Sequence, residues 1–112
     1  MKIDDWRRKI DAIDTAMLHL LNLRAELSIE VGRMKFDAGV PLRAPEREQE
    51  IVTRMKQANP GPLDGETIGK IYHLILDESI RTQTRFGCSI GTAPKSEGDG
   101  RAAKSSAKKT RR

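Results

Sequence analysis

The first 34 residues carry a heptad-spaced seam of apolar side chains. Ten positions, spaced alternately three and four residues apart, fall on this seam. Nine of them are apolar: Ile3, Trp6, Ile10, Ile13, Met17, Leu20, Leu27, Val31 and Met34. Such a run predicts one long helix whose seam packs against other helices. The tenth position holds Arg24, and because a buried guanidinium is costly unless an anion pairs with it, Arg24 is a candidate anion-binding residue.

The predicted length of this helix indicates a dimer. A helix from Ile3 to Asp37 would be roughly 50 Å long at about 1.5 Å per residue. A compact domain of about 100 residues is only about 30 Å across. Since the chain alone cannot cover such a seam, we expect a homodimer in which the long helices pack antiparallel about a two-fold axis.

Two more cations lie beside the seam. Arg7 and Lys35 each follow a seam residue and are 28 residues, a whole number of heptads, apart. Arg7 and Arg24 are separated by 17 residues, roughly 25 Å along a helix, which is too far for one small ligand to contact both in one chain. An antiparallel partner helix would bring its Arg7 to the stretch between Arg24 and Lys35. We therefore expect a ligand site that the two subunits share.

Residues that end or begin helices predict two shorter helices after the long one. Gly39 and Pro41 are expected to end the long helix, and Pro45 suits the first turn of a second helix that runs toward Ala58. Asp64 is the expected cap of a third helix after a turn rich in proline and glycine. The sequence therefore predicts an all-α fold with three helices per chain, one of them very long, in an intertwined homodimer.

Polar residues interrupt the apolar faces of the two shorter helices. Arg47 and Glu48 share a helical face with the apolar residues that follow them, and the apolar stripe of the third helix continues into Ser79 and Gln83. Arginine forks match carboxylates in bidentate fashion, so these residues with Arg24 favour a site for a small dicarboxylate. The pattern lacks a nucleophile-base pair, a metal cluster and a glycine-rich phosphate loop, so chemistry would depend on positioning and fixed charge.

Charge is concentrated at the C-terminus. Seven of the 21 Lys and Arg and two of the 16 Asp and Glu follow Phe86, so residues 1–86 are formally neutral and residues 87–112 hold the whole net charge of +5. Because this segment has almost no apolar side chains, we expect a disordered basic tail after a helical domain over 1–86. A solubilising role is favoured over a weak electrostatic contact with nucleic acid, acidic partners or a membrane surface.

The composition also indicates where the protein is located and limits what its cysteine can do. No stretch is apolar enough to span a bilayer, and Asp4 and Asp5 near the N-terminus exclude a signal-peptide core, so we expect a cytoplasmic protein. Cys88 is the single cysteine, which excludes an intrachain disulfide, and the isolated His19 and His73 do not suggest a metal site.

Several short segments, in this order and spacing, resemble the all-helical, intertwined dimeric chorismate mutases. The resemblance covers about Trp6 to Gln83. It rests on Arg7-Arg8-Lys9-Ile10, Ile13-Asp14, Leu23-Arg24, Glu30-Val31-Gly32 with Lys35, Arg43, Pro45-Glu46-Arg47-Glu48, and Asp77-Glu78-Ser79 with Thr82-Gln83. The resemblance implies that chorismate is rearranged to prephenate, a pericyclic reaction that needs no cofactor and no covalent intermediate. It also implies aromatic amino-acid biosynthesis as the setting.

The resemblance also implies roles for the cationic residues. Arg24 and the partner subunit's Arg7 would bind the two carboxylates of chorismate. Lys35 and Gln83 would donate hydrogen bonds to the ether oxygen as its bond to carbon breaks.

Four further residues complete the implied site. Glu48 would accept a hydrogen bond from the ring hydroxyl, and Arg47 and Ser79 would assist near a carboxylate. Ala44 stands where relatives often have Asp, and its backbone amide would contact the hydroxyl. The stretch over 44–47 also resembles isochorismate-pyruvate lyases of the same fold, which remain the enzymatic alternative.

A second alternative is a non-catalytic helical dimer that binds nucleic acid through residues 104–112. This alternative explains the tail and the dimer, but it leaves Arg24 in the apolar seam without a reason. Small chorismate mutases also commonly dock onto a pathway partner, and the basic tail is a candidate for such a contact.

Overall fold

The computed structural model describes residues 1–86, which form three helices. They are α1 (Ile3–Ala38), α2 (Pro45–Ala58) and α3 (Gly65–Arg85), and this part of the chain contains no strand. The prediction of an all-α chain with one very long helix is confirmed. The predictions for the basic tail over 87–112, including its disorder and its partners, lie outside the described residues.

The end of α1 follows from its glycine. Gly39 adopts a left-handed backbone conformation with φ of 73°, which a residue without a Cβ reaches at little cost. Its N–H donates to the Phe36 carbonyl at 3.1 Å, and the Val40 N–H donates to the Lys35 carbonyl at 3.0 Å. These bonds satisfy carbonyls that would otherwise lack a partner at the helix end.

The start of α3 is capped by Asp64. Its Oδ1 accepts a hydrogen bond from the Thr67 backbone N–H at 2.8 Å. This hydrogen bond lowers the pKa of the Asp64 carboxyl from its ordinary value, because it favours the ionised form. Both expected helix boundaries, at Gly39 and at Asp64, are therefore found in the structure.

Asp64→Ala is expected to lower the stability of the fold in a pH-dependent way. Since the folded-state pKa is depressed, the stabilisation is present above the unfolded pKa of about 3.9 and is lost as the pH falls through the folded pKa. Urea unfolding followed by circular dichroism should give a lower midpoint for the variant at neutral pH, and a smaller difference at acid pH, where the Asp64 carboxyl becomes protonated. Asp64→Asn keeps a capping oxygen but not the charge, so its neutral-pH midpoint should lie between those of the wild type and Asp64→Ala. Equal midpoints for wild type and Asp64→Ala at neutral pH would contradict the cap.

The core of the single chain lies between α2, α3 and the connection that precedes α2. Ile51, Val52 and Leu76 are buried together, and Leu42 in the connection is 4% exposed. Helix α1 packs against α3, which in turn packs against α2. Residues of all three helices face a common space beside the second half of α1, between Arg24 and Lys35.

The apolar seam of α1 stays uncovered in the single chain. All nine apolar seam residues are between 48% and 72% exposed, in a molecule whose principal extents are 58 × 31 × 14 Å. An exposed apolar surface of this size is typical of a protein interface. The homodimer itself stays a prediction.

Within residues 1–86, no helix combines the length and the apolar character that a bilayer-spanning segment requires.

Candidate active site

A pocket with a volume of about 290 Å³ opens where the three helices meet. Seven of the eight residues that the sequence singled out line it: Arg24, Lys35, Ala44, Arg47, Glu48, Ser79 and Gln83. The eighth, Arg7, lies far along α1, where its guanidinium forms an exposed pair with Asp4 at 3.6 Å. One chain therefore brings together every predicted site residue except the one that was assigned to the partner subunit.

Arg24 reaches the pocket from α1 and is held by α3. Its Nη1 donates to Ser79 Oγ at 2.6 Å, and Ser79 Oγ donates to the Ile75 carbonyl at 3.0 Å. The guanidinium is partly buried, and no carboxylate of residues 1–86 forms an ion pair with it. A partly desolvated cation of this kind, with donors left over, is suited to binding an anionic ligand.

Gln83 is the most deeply buried polar residue of the described chain, at 4% exposed. Its Nε2 donates to the Ser28 carbonyl at 2.7 Å. Since a carbonyl oxygen only accepts, this contact requires the nitrogen of the amide to face α1. Oε1 is buried without a hydrogen-bond partner in residues 1–86, a state that costs about 1–3 kcal/mol. Gln83 lines the pocket, and its amide nitrogen keeps one N–H for a bound molecule.

Lys35 is anchored by the connection between α1 and α2. Its Nζ donates to the carbonyl of the buried Leu42 at 2.9 Å. An ammonium group has three donors, so two remain after this contact. The anchor holds the charge at the pocket wall, where it can act on a ligand without a large loss of side-chain entropy.

Glu48 is oriented by Arg43, a residue for which the sequence indicated no role. Arg43 donates from Nε and Nη2 to the two oxygens of Glu48, at 3.2 and 3.0 Å, and from Nη2 to Asp77 at 2.8 Å. The hydrogen bonds to Glu48 and then to Asp77 raise the pKa of the Arg43 guanidinium. Arg43 therefore ties the connection before α2 to α2 and α3, and it fixes the direction of the Glu48 carboxylate.

Arg47 lines the pocket but pairs outside it. Its Nη1 contacts Glu50 Oε1 at 2.8 Å, and both side chains are more than half exposed. Exposed ion pairs contribute little to stability and exchange readily with solvent. The pair therefore leaves the Arg47 guanidinium free to turn toward an anion in the pocket. Ala44, at the N-cap of α2, presents only its backbone and a methyl group.

Residues 6–84 match the family model of chorismate mutase type II. The chain belongs to this family. The match confirms the resemblance that the short sequence segments indicated, and it covers nearly all of the three helices and every residue that lines the pocket. The family assignment therefore concerns the part of the chain that carries the candidate active site.

Individual relatives agree with the family assignment. The chain is 31% identical over 86 residues to chorismate mutase of Methanocaldococcus jannaschii, covering 76% of this chain and 87% of that protein. It is 36% identical over 78 residues to the bifunctional chorismate mutase/prephenate dehydratase of Escherichia coli K12, covering 69% of this chain and 20% of that protein. A solved structure of chorismate mutase from Thermus thermophilus superposes with a TM-score of 0.74 at 33% identity, covering 76% of this chain and 97% of that one.

The relatives differ in length. The chain spans 20% to 25% of the bifunctional proteins from Escherichia coli and Aquifex aeolicus, and most of the shorter proteins from Methanocaldococcus and Thermus.

Proposed function

We propose that this member of the family is a chorismate mutase, an isomerase that rearranges chorismate to prephenate in aromatic amino-acid biosynthesis. The observation that carries the proposal is the convergence of seven predicted site residues on one pocket of about 290 Å³. The partly buried Arg24, without a carboxylate partner in residues 1–86, supports a ligand with negative charge. A cytoplasmic location is part of the proposal.

The proposed catalysis uses position and fixed charge. The extended substrate must be held in a folded conformation, and holding it lowers the entropic barrier to the pericyclic step. Negative charge grows on the ether oxygen as the carbon-oxygen bond breaks, and donors from Lys35 and Gln83 stabilise that charge. The reaction needs no cofactor and no covalent intermediate.

The substrate's carboxylates are assigned to arginines of two subunits. Arg24 binds one carboxylate, with Ser79 and Arg47 beside it, and Arg7 of the partner subunit binds the other. This assignment requires a homodimer in which the α1 helices are antiparallel. The nine exposed apolar residues of the α1 seam support such a dimer, because burying them would remove a large apolar surface from water.

The ring hydroxyl is assigned to the start of α2. Glu48, oriented by Arg43, accepts the hydroxyl proton in a hydrogen bond, and the backbone amide of Ala44 contacts the hydroxyl oxygen. An ionised carboxylate only accepts hydrogen bonds. The hydrogen bonds from Arg43 hold the Glu48 carboxylate in place as an acceptor for the ring hydroxyl.

Isochorismate-pyruvate lyase is the second candidate function. The stretch over 44–47, with Ala44 in place of an acidic residue, supports it. The two candidates are distinguished by incubating the purified protein with chorismate and, separately, with isochorismate, and by measuring prephenate and pyruvate. We expect prephenate from chorismate and little pyruvate from isochorismate. Pyruvate without prephenate would favour the lyase, and no reaction with either compound would leave a non-catalytic helical dimer.

Gln83→Glu is expected to confine activity to acidic conditions. An amide donates at any ordinary pH, whereas a carboxyl group donates only when it is protonated. The position is 4% exposed, and burial raises the pKa of a carboxyl group. Turnover measured between about pH 4.5 and 8 should be nearly flat for the wild type and should rise toward acid pH for the variant. A flat profile in Gln83→Glu would remove Gln83 from the site.

A further inference from the structure

The interior of α1 contains a buried glycine that the helix itself does not require. Gly32 lies six residues before the end of a 36-residue helix and is buried. Its backbone is helical, so the residue is not needed for a left-handed turn. Glycine is one of the least favourable residues in a helix interior. A neighbour, rather than the backbone, must explain its presence.

That neighbour is the side chain of Gln83. A Cβ added at Gly32 would lie 2.8 Å from Gln83 Cγ, 3.1 Å from Cδ and 3.2 Å from Cβ. Carbon atoms in favourable contact are about 3.5–4.0 Å apart. Because Cβ and Cγ are close to the α3 backbone, they cannot avoid this clash as the end of a long side chain could. Either the Gln83 rotamer or the spacing of α1 and α3 would have to change.

The same helix also fixes the direction of the Gln83 amide. Ser28 lies one turn before Gly32, and its carbonyl accepts the hydrogen bond from Nε2 at 2.7 Å. Gln83 therefore lies along the surface of α1, with its stem over Gly32 and its nitrogen at Ser28. Its buried Oε1 has no hydrogen-bond partner in residues 1–86.

We propose that Gly32 is a positioning residue of the candidate active site, which lets the Gln83 side chain lie against α1 with its amide at the pocket. The proposal rests on the proposed function, in which Gln83 donates to the ether oxygen. A side chain at position 32 displaces that donor but leaves the arginines that bind the carboxylates. The consequence is a fall in kcat with a smaller change in KM.

The test compares two buried helical glycines. Gly32→Ala is expected to lower kcat for chorismate by about tenfold or more, because a small misplacement of a catalytic donor has large effects on rate. Gly69→Ala is the matched control: its Cβ would meet Lys56 Cε at 2.7 Å, which is the far end of a flexible side chain outside the pocket lining. The control should stay within about twofold of wild type.

A double-mutant cycle shows whether Gly32 acts through Gln83. In a Gln83→Ala background the two closest clashing atoms are gone, so adding Gly32→Ala should change kcat by less than about threefold. The unfolding midpoint should fall on Gly32→Ala in the wild-type background and should not fall in the Gln83→Ala background. If Gly32→Ala alone fails to fold, recovery of the fold in the double variant supports the same contact.

Two results would overturn the proposal. One is a kcat for Gly32→Ala within about twofold of wild type, and the other is an equal loss of kcat in both backgrounds. A wild-type protein that does not turn over chorismate would instead overturn the proposed function. The unfolding midpoints would still decide whether Gly32 and Gln83 are in contact, so the two failures are distinguishable.

Discussion

Lys35→Ala is expected to lower kcat for chorismate by about 10²- to 10³-fold, the usual effect of removing a donor from a developing oxyanion. The Lys35 ammonium is held by the Leu42 carbonyl at 2.9 Å, so its charge is in place before the substrate binds. Such a preorganised charge stabilises the transition state more than the ground state, and kcat should fall more than KM rises. Rates from chorismate absorbance, with the fold followed by circular dichroism, measure both effects.

Two further variants make the Lys35 result interpretable. Lys35→Met keeps most of the aliphatic stem and should lose activity to the same extent without losing the fold. Lys70→Ala removes an exposed lysine that forms a 3.8 Å pair with Glu66 outside the pocket lining, and it should be as active as wild type. Turnover by folded Lys35→Ala within about threefold of wild type would remove Lys35 from the catalytic assignment.

Mixed dimers of two inactive variants should regain about a quarter of wild-type activity if the site is shared between subunits. Arg7→Ala and Arg24→Ala should each lose at least about 100-fold, because each leaves a substrate carboxylate without its charged partner. Each site combines Arg24 of one subunit with Arg7 of the other. In a mixed dimer, one site therefore contains both substitutions and the other contains neither. Random pairing after co-refolding makes about half of the dimers mixed, each with one intact site of two.

The matched control for this experiment mixes Arg24→Ala with Lys35→Ala. Arg24 and Lys35 line the same pocket of one chain, so every site in such a mixed dimer lacks one of them and activity should not return. Sedimentation analysis of each sample reports whether dimers have formed. Recovery in the control mixture, or none with Arg7→Ala in a confirmed dimer, would contradict the shared site.

The bounds of the helices were predictable from the sequence, because each bound depends on residues next to it along the chain. Gly39 ends α1 in a left-handed conformation, Pro45 opens α2, and Asp64 caps α3. The candidate site residues were also visible from sequence, because Arg24 and Gln83 are polar side chains at positions where helical periodicity expects apolar ones. Family resemblance then supplied a role for each, and those roles stay predictions.

The contacts that orient the site were not predictable in the same way. Arg43 joins Glu48 to Asp77, which lies 34 residues further along the chain. Gly32 contacts a side chain of α3, and helical periodicity does not state which residue of one helix faces which residue of another. Burial of the seam was predicted for a dimer, and in the single chain the seam is exposed.

The most direct test of the central claim is the rate of prephenate formation from chorismate by wild type, Arg24→Ala and Arg33→Ala. Arg33 lies on the same helix but pairs with Glu30 at the surface, which makes it a matched control. The account predicts rapid prephenate formation by wild type and Arg33→Ala, and a loss of at least about 100-fold in Arg24→Ala. No prephenate from wild type, or an Arg24→Ala variant as active as Arg33→Ala, would contradict it.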